Sequence, residues 1–396
     1  MSSSSAHPFV AIACGGTGGH LFPGMAVAQE LRLRGCDVSL LISPKEVDQQ
    51  AVKSAVGLEI VTLPAVALNR GQGLGFARGF VASFRASRNL FRQRRPQAVL
   101  GMGGFTSAPP VIAGKLCGAA TAFHESNAIP GRANRWLAHV VDEGFVGFAS
   151  ATNHLFLQRI TTTGTPVRAQ FQPQNAEGCR AALGLDARRP VLLVMGGSQG
   201  ATGVNDIVLA ALPALARLMP ELQFLHLSGA GDFEKVGAAY ATQKLKAIVR
   251  PFLAEMELAL GAASAAISRA GASTMTELAA MRLPAILIPY PQAAYDHQLY
   301  NARAFAQTGA ARFVEQAEAT PQVLSQLVVE LTNHADIRTG MARALAQWHQ
   351  PQAAAQIAAR LLRAMGFPEA SSHPGRIERA PVPATGAIRQ PQSALS

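Results

Sequence analysis

The 396-residue chain has little charge and few aromatic rings: 15% Asp, Glu, Lys and Arg, and 6% Phe, Trp and Tyr. Its four cysteines, Cys14, Cys36, Cys117 and Cys179, are scattered without a Cys-x-x-Cys pair, as expected of reduced cytosolic thiols. No apolar run is long enough to span a bilayer. Met1-Ser2-Ser3-Ser4-Ser5 lacks the basic and apolar regions of a signal peptide. Lysine occurs only at positions 45, 53, 115, 235, 244 and 246, so the formal charge of +11 is nearly all arginine. Arginine suits phosphate, although a general preference for Arg over Lys gives the same count. No basic run is interleaved with aromatics, which argues against a nucleic-acid surface.

Apolar residues, by contrast, reach 49%, enough for two cores in a chain of this length. One local pattern is written twice. Phe9-Val10-Ala11-Ile12-Ala13-Cys14 runs into Gly15-Gly16-Thr17-Gly18-Gly19-His20, and Pro190-Val191-Leu192-Leu193-Val194-Met195 into Gly196-Gly197-Ser198-Gln199-Gly200-Ala201. Each is an apolar strand, a glycine turn and a helix start, the arrangement in which backbone N–H groups face an anion. Two such units predict an α/β protein of two Rossmann-like, doubly wound domains, with a phosphorylated or nucleotide ligand in the cleft between them.

Short apolar runs predict strands at 8–14, 37–42, 58–63, 97–101, 119–124, 140–146 and 159–163 in the first half. In the second half they fall at 190–195, 222–228, 246–250, 264–268, 284–288 and 310–314. Helical patterns lie between them, for example at 19–34, 201–218, 273–281 and 296–308. The turn-rich Gly164-Thr165-Pro166-Val167-Arg168 places the hinge between domains 1–167 and 168–349. From 367 to 396 the chain is rich in Pro, Ser, Ala and Arg and reads as a disordered tail.

Several motifs offer chemistry. Gly15–His20 departs from Gly-x-Gly-x-x-Gly, so a dinucleotide is a poor match, and the loop suits a diphosphate, a sugar or an acceptor hydroxyl. His20, just after it, could act as general base or merely pack on the turn. Gly101-Met102-Gly103-Gly104-Phe105 is a tight turn that also hints at close approach of a ligand. In His124-Glu125-Ser126-Asn127, three polar side chains in a row at a strand's carboxyl end argue against a core role. No second His/Asp cluster has ligand spacing, so a metal is discounted there. In Ser268–Glu277, Ser273, Thr274 and loop amides could hold phosphate, while Glu277 could take a ribose diol or complete a capping box. Pro289-Tyr290-Pro291 through Asp296-His297-Gln298 aims polar groups at a sugar. Along 76–95, Phe76, Phe80, Phe84 and Phe91 share a helical stripe beside Arg78, Arg85, Arg88, Arg92 and Arg95. That stripe fits a membrane interface or the domain core equally well.

Together, GGTGGH, GMGG, HESN, GTPVR, GGSQGA and Ser268–Glu277 resemble glycosyltransferase family 28, in particular its lipid II-forming peptidoglycan GlcNAc transferases, over roughly residues 8–365. The resemblance implies a GT-B fold with a last helix, about 350–366, crossing back to the first domain. It implies a hexosyltransferase that moves GlcNAc from UDP-GlcNAc, with inversion, to the C4 hydroxyl of MurNAc in undecaprenyl-pyrophosphoryl-MurNAc-pentapeptide (lipid I). It implies His20 as base, and Thr17, Gly18, Gly19 and Asn127 near the sugar. Arg168 and Ser198 would meet the diphosphate and Leu253 the uracil. Ala270, Gly271, Ala272, Ser273, Thr274 and Met275 would hold phosphates, Glu277 the ribose and Gln298 sugar hydroxyls. Two positions depart from the family pattern: Ser126 replaces the Gln of HEQN, and Thr165 the Asn of GNPVR. No Asp-x-Asp occurs, so no tightly bound metal is expected, only Mg²⁺ travelling loosely with UDP. A lipid acceptor also implies an anionic membrane surface as partner, touched by Phe76, Phe80, Phe84, Arg85 and Arg88. The expected location is the cytoplasmic face of the inner membrane, among cell-wall and division proteins.

Overall fold

The computed structural model describes residues 7–16, 18–45, 48–49, 57–64, 73–197 and 200–367. Thr17, Ser198 and the tail beyond Phe367 lie outside them.

The first sheet contains β1 (Phe9–Ala13), β2 (Asp37–Ile42), β3 (Glu59–Thr62), β4 (Ala98–Gly101), β5 (Ala120–Glu125), β6 (Glu143–Val146) and β7 (Ile160–Thr162). The second contains β8 (Val191–Met195), β9 (Gln223–Leu227), β10 (Ala247–Arg250), β11 (Ala265–Ser268), β12 (Ala285–Leu287) and β13 (Arg312–Phe313). All pairings are parallel, in the orders β3-β2-β1-β4-β5-β6-β7 and β10-β9-β8-β11-β12-β13. Each apolar run became a strand, most of them shortened at the ends, β13 to two residues. β6 starts three residues later than its run, because the amides of Val140 and Val141 close a turn onto the Leu137 carbonyl.

Strand order fixes where ligands can sit. β1 lies between β2 and β4, and β8 between β9 and β11. At those points the winding reverses, so the following helices leave on opposite faces and open a crevice at the carboxyl edge. One crevice receives the loops after β1 and β4; the other receives the loops after β8 and β11.

Both faces of the first sheet are covered, as its apolar strands require. Val10, Ile12, Leu40 and Leu100 pack under the helices Gly18–Leu33 and Ala353–Ala364. Ala11, Ala13, Val99 and Phe123 pack on the other face with Phe91 and Val111. The helix Ala353–Ala364 thus returns to the first domain, burying Ile357, Ala358, Leu361 and Leu362 there. Arg360 on its outer side pairs with Glu143 of β6. The two domains also meet through rings. Trp348 stacks on Phe305 at 4.3 Å and tilts against Phe148 at 5.2 Å, centroid to centroid.

Candidate active site

The loop after β1 lies almost flush against the end of β2. A Cβ on Gly15 would sit 2.4 Å from the Ser43 amide nitrogen, so only glycine fits. Below it, fully buried Asp48 accepts through Oδ2 from the Gly16 amide at 2.6 Å and from the amide and hydroxyl of Ser43. A buried carboxylate therefore holds the loop in place.

His20 stands in the first turn of the helix Gly18–Leu33 and faces the loop after β4. Gly103 and Gly104 there have φ of +111° and +74°. A methyl on Gly103 would come within 2.9 Å of His20 Nε2, and one on Gly104 within 3.2 Å of Cε1. The GMGG loop is thus a seat for an imidazole. That burial pushes the His20 pKa below its ordinary value; the charges of Glu125 and Asp48 oppose the shift without overcoming it.

The His124–Asn127 run requires a correction. Its first three side chains are buried and hydrogen-bonded within the first domain, although Glu125 and Ser126 also border the cleft. His124 Nε2 meets the Gly164 carbonyl at 3.1 Å and Nδ1 meets the Ser126 hydroxyl at 3.2 Å. Desolvation lowers the His124 pKa to about 4, so the ring is neutral. Glu125 Oε1 accepts from the backbone and side-chain amides of Asn127, and Oε2 from Gly131 N and Asn134 Nδ2, all at 2.9 Å. With four donors, Glu125 is a scaffold that holds the two asparagines in place. Polar residues are tolerated at these buried positions because each has hydrogen-bond partners, the Gly164 carbonyl for His124 and the 127–134 segment for Glu125.

Across the cleft, Arg168 packs its guanidinium over Phe22 at 4.2 Å and Phe171 at 4.8 Å. Its Nη2 lies 3.8 Å from Glu277, and its buried Nε has no hydrogen-bond partner among the described residues. Burial raises the Glu277 pKa to about 7 despite Arg168, and Glu257 adds to the rise. The capping-box reading of Glu277 fails: the N-cap is Gly271, six residues earlier, and its side chain faces the cleft.

One cleft of about 1710 Å³ is lined by His20, Gly103, Asn127, Arg168, Leu253 and Glu277, among others. That exceeds the roughly 300–1,000 Å³ that holds one small ligand. Gly18, Gly19, Gly271, Ala272, Ser273, Thr274 and Gln298 also line it. The 270–275 stretch is not uniform, however: the Ala270 and Met275 side chains are buried in the second-domain core. Gln298 is held by the Tyr290 amide, which donates to its Oε1 at 2.9 Å. Phe76, Phe80, Phe84, Arg85 and Arg88 lie outside the cleft, on the helix Gly73–Gln93. Phe80 and Phe84 are half-buried against the first-domain core and Phe91 is fully buried, while Arg85 and Arg88 are exposed. Phe76 meets Phe105 of the cleft wall edge-on, and Phe80 meets exposed Trp136 in the same way.

Two cleft residues escaped the sequence reading. Asn134 lines the cleft with a buried Oδ1 that has no hydrogen-bond partner among the described residues. Arg269 is 7% exposed and donates to the carbonyls of Ile288 and Pro289 and to Gln316, with Nε left over. No carboxylate lies within ion-pair distance of Arg269 among the described residues. Its signal was its place, the first residue beyond β11 at the switch point. Among the described residues, no three His, Cys, Asp or Glu side chains converge as metal ligands.

The glycosyltransferase family 28 N-terminal domain matches residues 10–146, and the C-terminal domain of the same family matches residues 191–360. The chain belongs to glycosyltransferase family 28. It is 36% identical over 362 residues to a UDP-N-acetylglucosamine--N-acetylmuramyl-(pentapeptide) pyrophosphoryl-undecaprenol N-acetylglucosamine transferase of Anaeromyxobacter dehalogenans, covering 88% of this chain and 90% of that one. An enzyme of the same name from Myxococcus xanthus is 34% identical over 360 residues, covering 88% and 91%. Among solved structures, Acinetobacter baumannii MurG is 29% identical with a TM-score of 0.69, over 90% of this chain and all of that one. A putative UDP-N-acetylglucosamine 2-epimerase from Listeria monocytogenes also scores 0.69 over 92% and 99% of the two chains. At 15% identity that likeness concerns the fold alone. This family 28 chain thus has the GT-B architecture, two facing Rossmann-like domains.

Proposed function

We propose that this chain is an inverting hexosyltransferase of peptidoglycan synthesis. It moves GlcNAc from UDP-GlcNAc to the C4 hydroxyl of the MurNAc in lipid I, giving lipid II. The observation that carries the reading is 36% identity, over 88% of the chain, to a transferase named for that donor and acceptor. The cleft supports it, with a neutral imidazole on one wall and two buried guanidiniums on the other.

An alcohol is a weak nucleophile, so a base must take its proton as the new C–O bond forms. His20 fills that role. The acceptor oxygen attacks the anomeric carbon, its proton passes to the imidazole, and the bond to the UDP oxygen breaks on the opposite face. A single displacement inverts the centre. Negative charge then grows on UDP. The open N–H groups at Gly271–Thr274, the helix dipole behind them, Arg168 and Arg269 stabilise it. Arg269 is suited to this because, among the described residues, no carboxylate lies within ion-pair distance of it. Protein cations and amides thus meet the charge, with Mg²⁺ left as a loose companion of UDP. Glu277, pushed towards neutral pKa, accepts from the ribose diol, and Leu253 borders the uracil. An epimerase would need free carboxylates. The cleft lining has Glu125 and Glu277, and the first is saturated while the second faces Arg168.

Peripheral attachment to the anionic, cytoplasmic face of the inner membrane completes the reading, since the acceptor is a lipid. The aromatic chain Phe105–Phe76–Phe80–Trp136, leading from the cleft mouth beside exposed Arg85 and Arg88, supports it. No helix among the described residues is long and apolar enough to cross a membrane.

UDP release from UDP-GlcNAc with a lipid I analogue tests the reaction. Wild type should turn over only with the acceptor present, and folded His20→Ala should lose about 10²–10⁴-fold in kcat. Wild-type inactivity with UDP-GlcNAc still bound would reject the acceptor. Undiminished turnover in His20→Ala would reject the base.

A further inference from the structure

Asn301 belongs to none of the motifs above. It lies one turn beyond Gln298 on the helix His297–Gln307 and is completely buried. Its side chain joins both domains. Oδ1 accepts from the Ala128 amide at 2.8 Å, in the first domain. Nδ2 donates to the Ala270 carbonyl at 3.2 Å, at the second-domain loop, and to Asn127 Oδ1 at 3.1 Å.

Two of these partners are backbone groups with fixed roles: an N–H can only donate and a carbonyl can only accept. They allow one orientation of the Asn301 amide. Nδ2 must then point at Asn127, which sets Asn127 with its oxygen towards Asn301 and its nitrogen towards Glu125. Glu125 Oε1 accepts that nitrogen at 2.9 Å, so both ends of the chain demand the same orientation. Asn127 keeps one N–H and one lone pair for the cleft, and their direction is dictated from the other domain.

We propose that Asn301 is a positioning residue that couples the donor-side loop at Ala270 to the acceptor-side Asn127, so that Asn127 is aimed at the sugar only when the two domains are in register. The role rests on the transferase reading, but its first test does not. In protein labelled with ¹⁵N at asparagine, UDP alone should shift the Asn127 side-chain resonance. The shift should vanish in Asn301→Asp, which keeps the size and the bond from Ala128 but loses both donations. An unchanged UDP-induced shift in Asn301→Asp, or none in wild type, would overturn the coupling.

The second test is kinetic. Asn301→Ala and Asn301→Asp, each checked for a native melting transition, should lose about 10–100-fold in kcat with KM for UDP-GlcNAc little changed. On an Asn127→Ala background, Asn301→Ala should cost less than about threefold more, because coupled residues are not additive. Full additivity, or unaltered kcat in both Asn301 variants, would reject the positioning role. A wild type without transferase activity would reject the transferase reading, and the resonance test would still decide the coupling.

Discussion

His20 loses water to Gly103 and Gly104, and the nearby charges of Glu125 and Asp48 only partly offset that loss. Its pKa therefore sits below the ordinary 6.5. A base works deprotonated, so kcat should be flat above that value and fall only at lower pH. Asp48→Asn removes one charge that favours the imidazolium, so the acid limb of its pH–rate profile should move further down. A limb that stayed put would separate Asp48 from His20. Glu277 has the opposite shift, up to about 7. Its carboxylate form is lost as pH falls through that value, so UDP affinity measured by calorimetry should weaken below about pH 7. Glu277→Gln should weaken UDP binding about 10–100-fold, the worth of a hydrogen bond to a charged group, and flatten that pH dependence.

The helices Gly73–Gln93 and Ala353–Ala364 show what a periodic pattern can and cannot say. Both carry an apolar stripe beside arginines. The second buries its stripe on the first-domain sheet, with Leu361 2% exposed, so Leu361→Ala should cost about 2–5 kcal/mol, read as a lower midpoint in denaturant. A loss under about 1 kcal/mol would mean that this helix contributes little to holding the first domain. The first helix splits its stripe: Phe91 is core, Phe80 and Phe84 are half-buried, and Phe76 reaches the cleft wall. Period alone could not choose between core and membrane because one face serves both. The better membrane probes are accordingly the exposed Arg85, Arg88 and Trp136. Arg85→Glu with Arg88→Glu should release the protein from anionic vesicles without lowering stability. Retention on the vesicles would refute membrane contact through this helix.

At the scale of the molecule, a charge of +11 and the large cleft between the two sheets act together. Binding to anionic vesicles should fall steeply between about 0.05 and 0.5 M salt, as the screening length drops from above about 10 Å at 0.1 M towards 3 Å at 1 M. Salt-independent binding would point to ring insertion alone. Much of the cleft was legible beforehand, because ligands of doubly wound sheets sit beyond strand carboxyl ends and every glycine loop was placed there. Asn134, Arg269 and Asn301 were not legible. Asn134 and Asn301 lie inside helices, where a polar residue usually faces water, and Arg269 sits in a motif whose serines and glycines drew the reading.

Local chemistry in the sequence determined the strands, the glycine turns, the two-domain count and the residue types of a phosphate-handling site. Those features depend on apolar alternation and backbone freedom over a few residues, and they are written where they act. Only the tertiary structure decided that His124 is buried against the Gly164 carbonyl, that the GMGG loop seats His20, and that Asn301 reaches across to Asn127. Each of these joins groups brought together by strand order or domain packing, and hydrogen-bond partners 174 residues apart, as Asn127 and Asn301 are, leave no local periodicity to read.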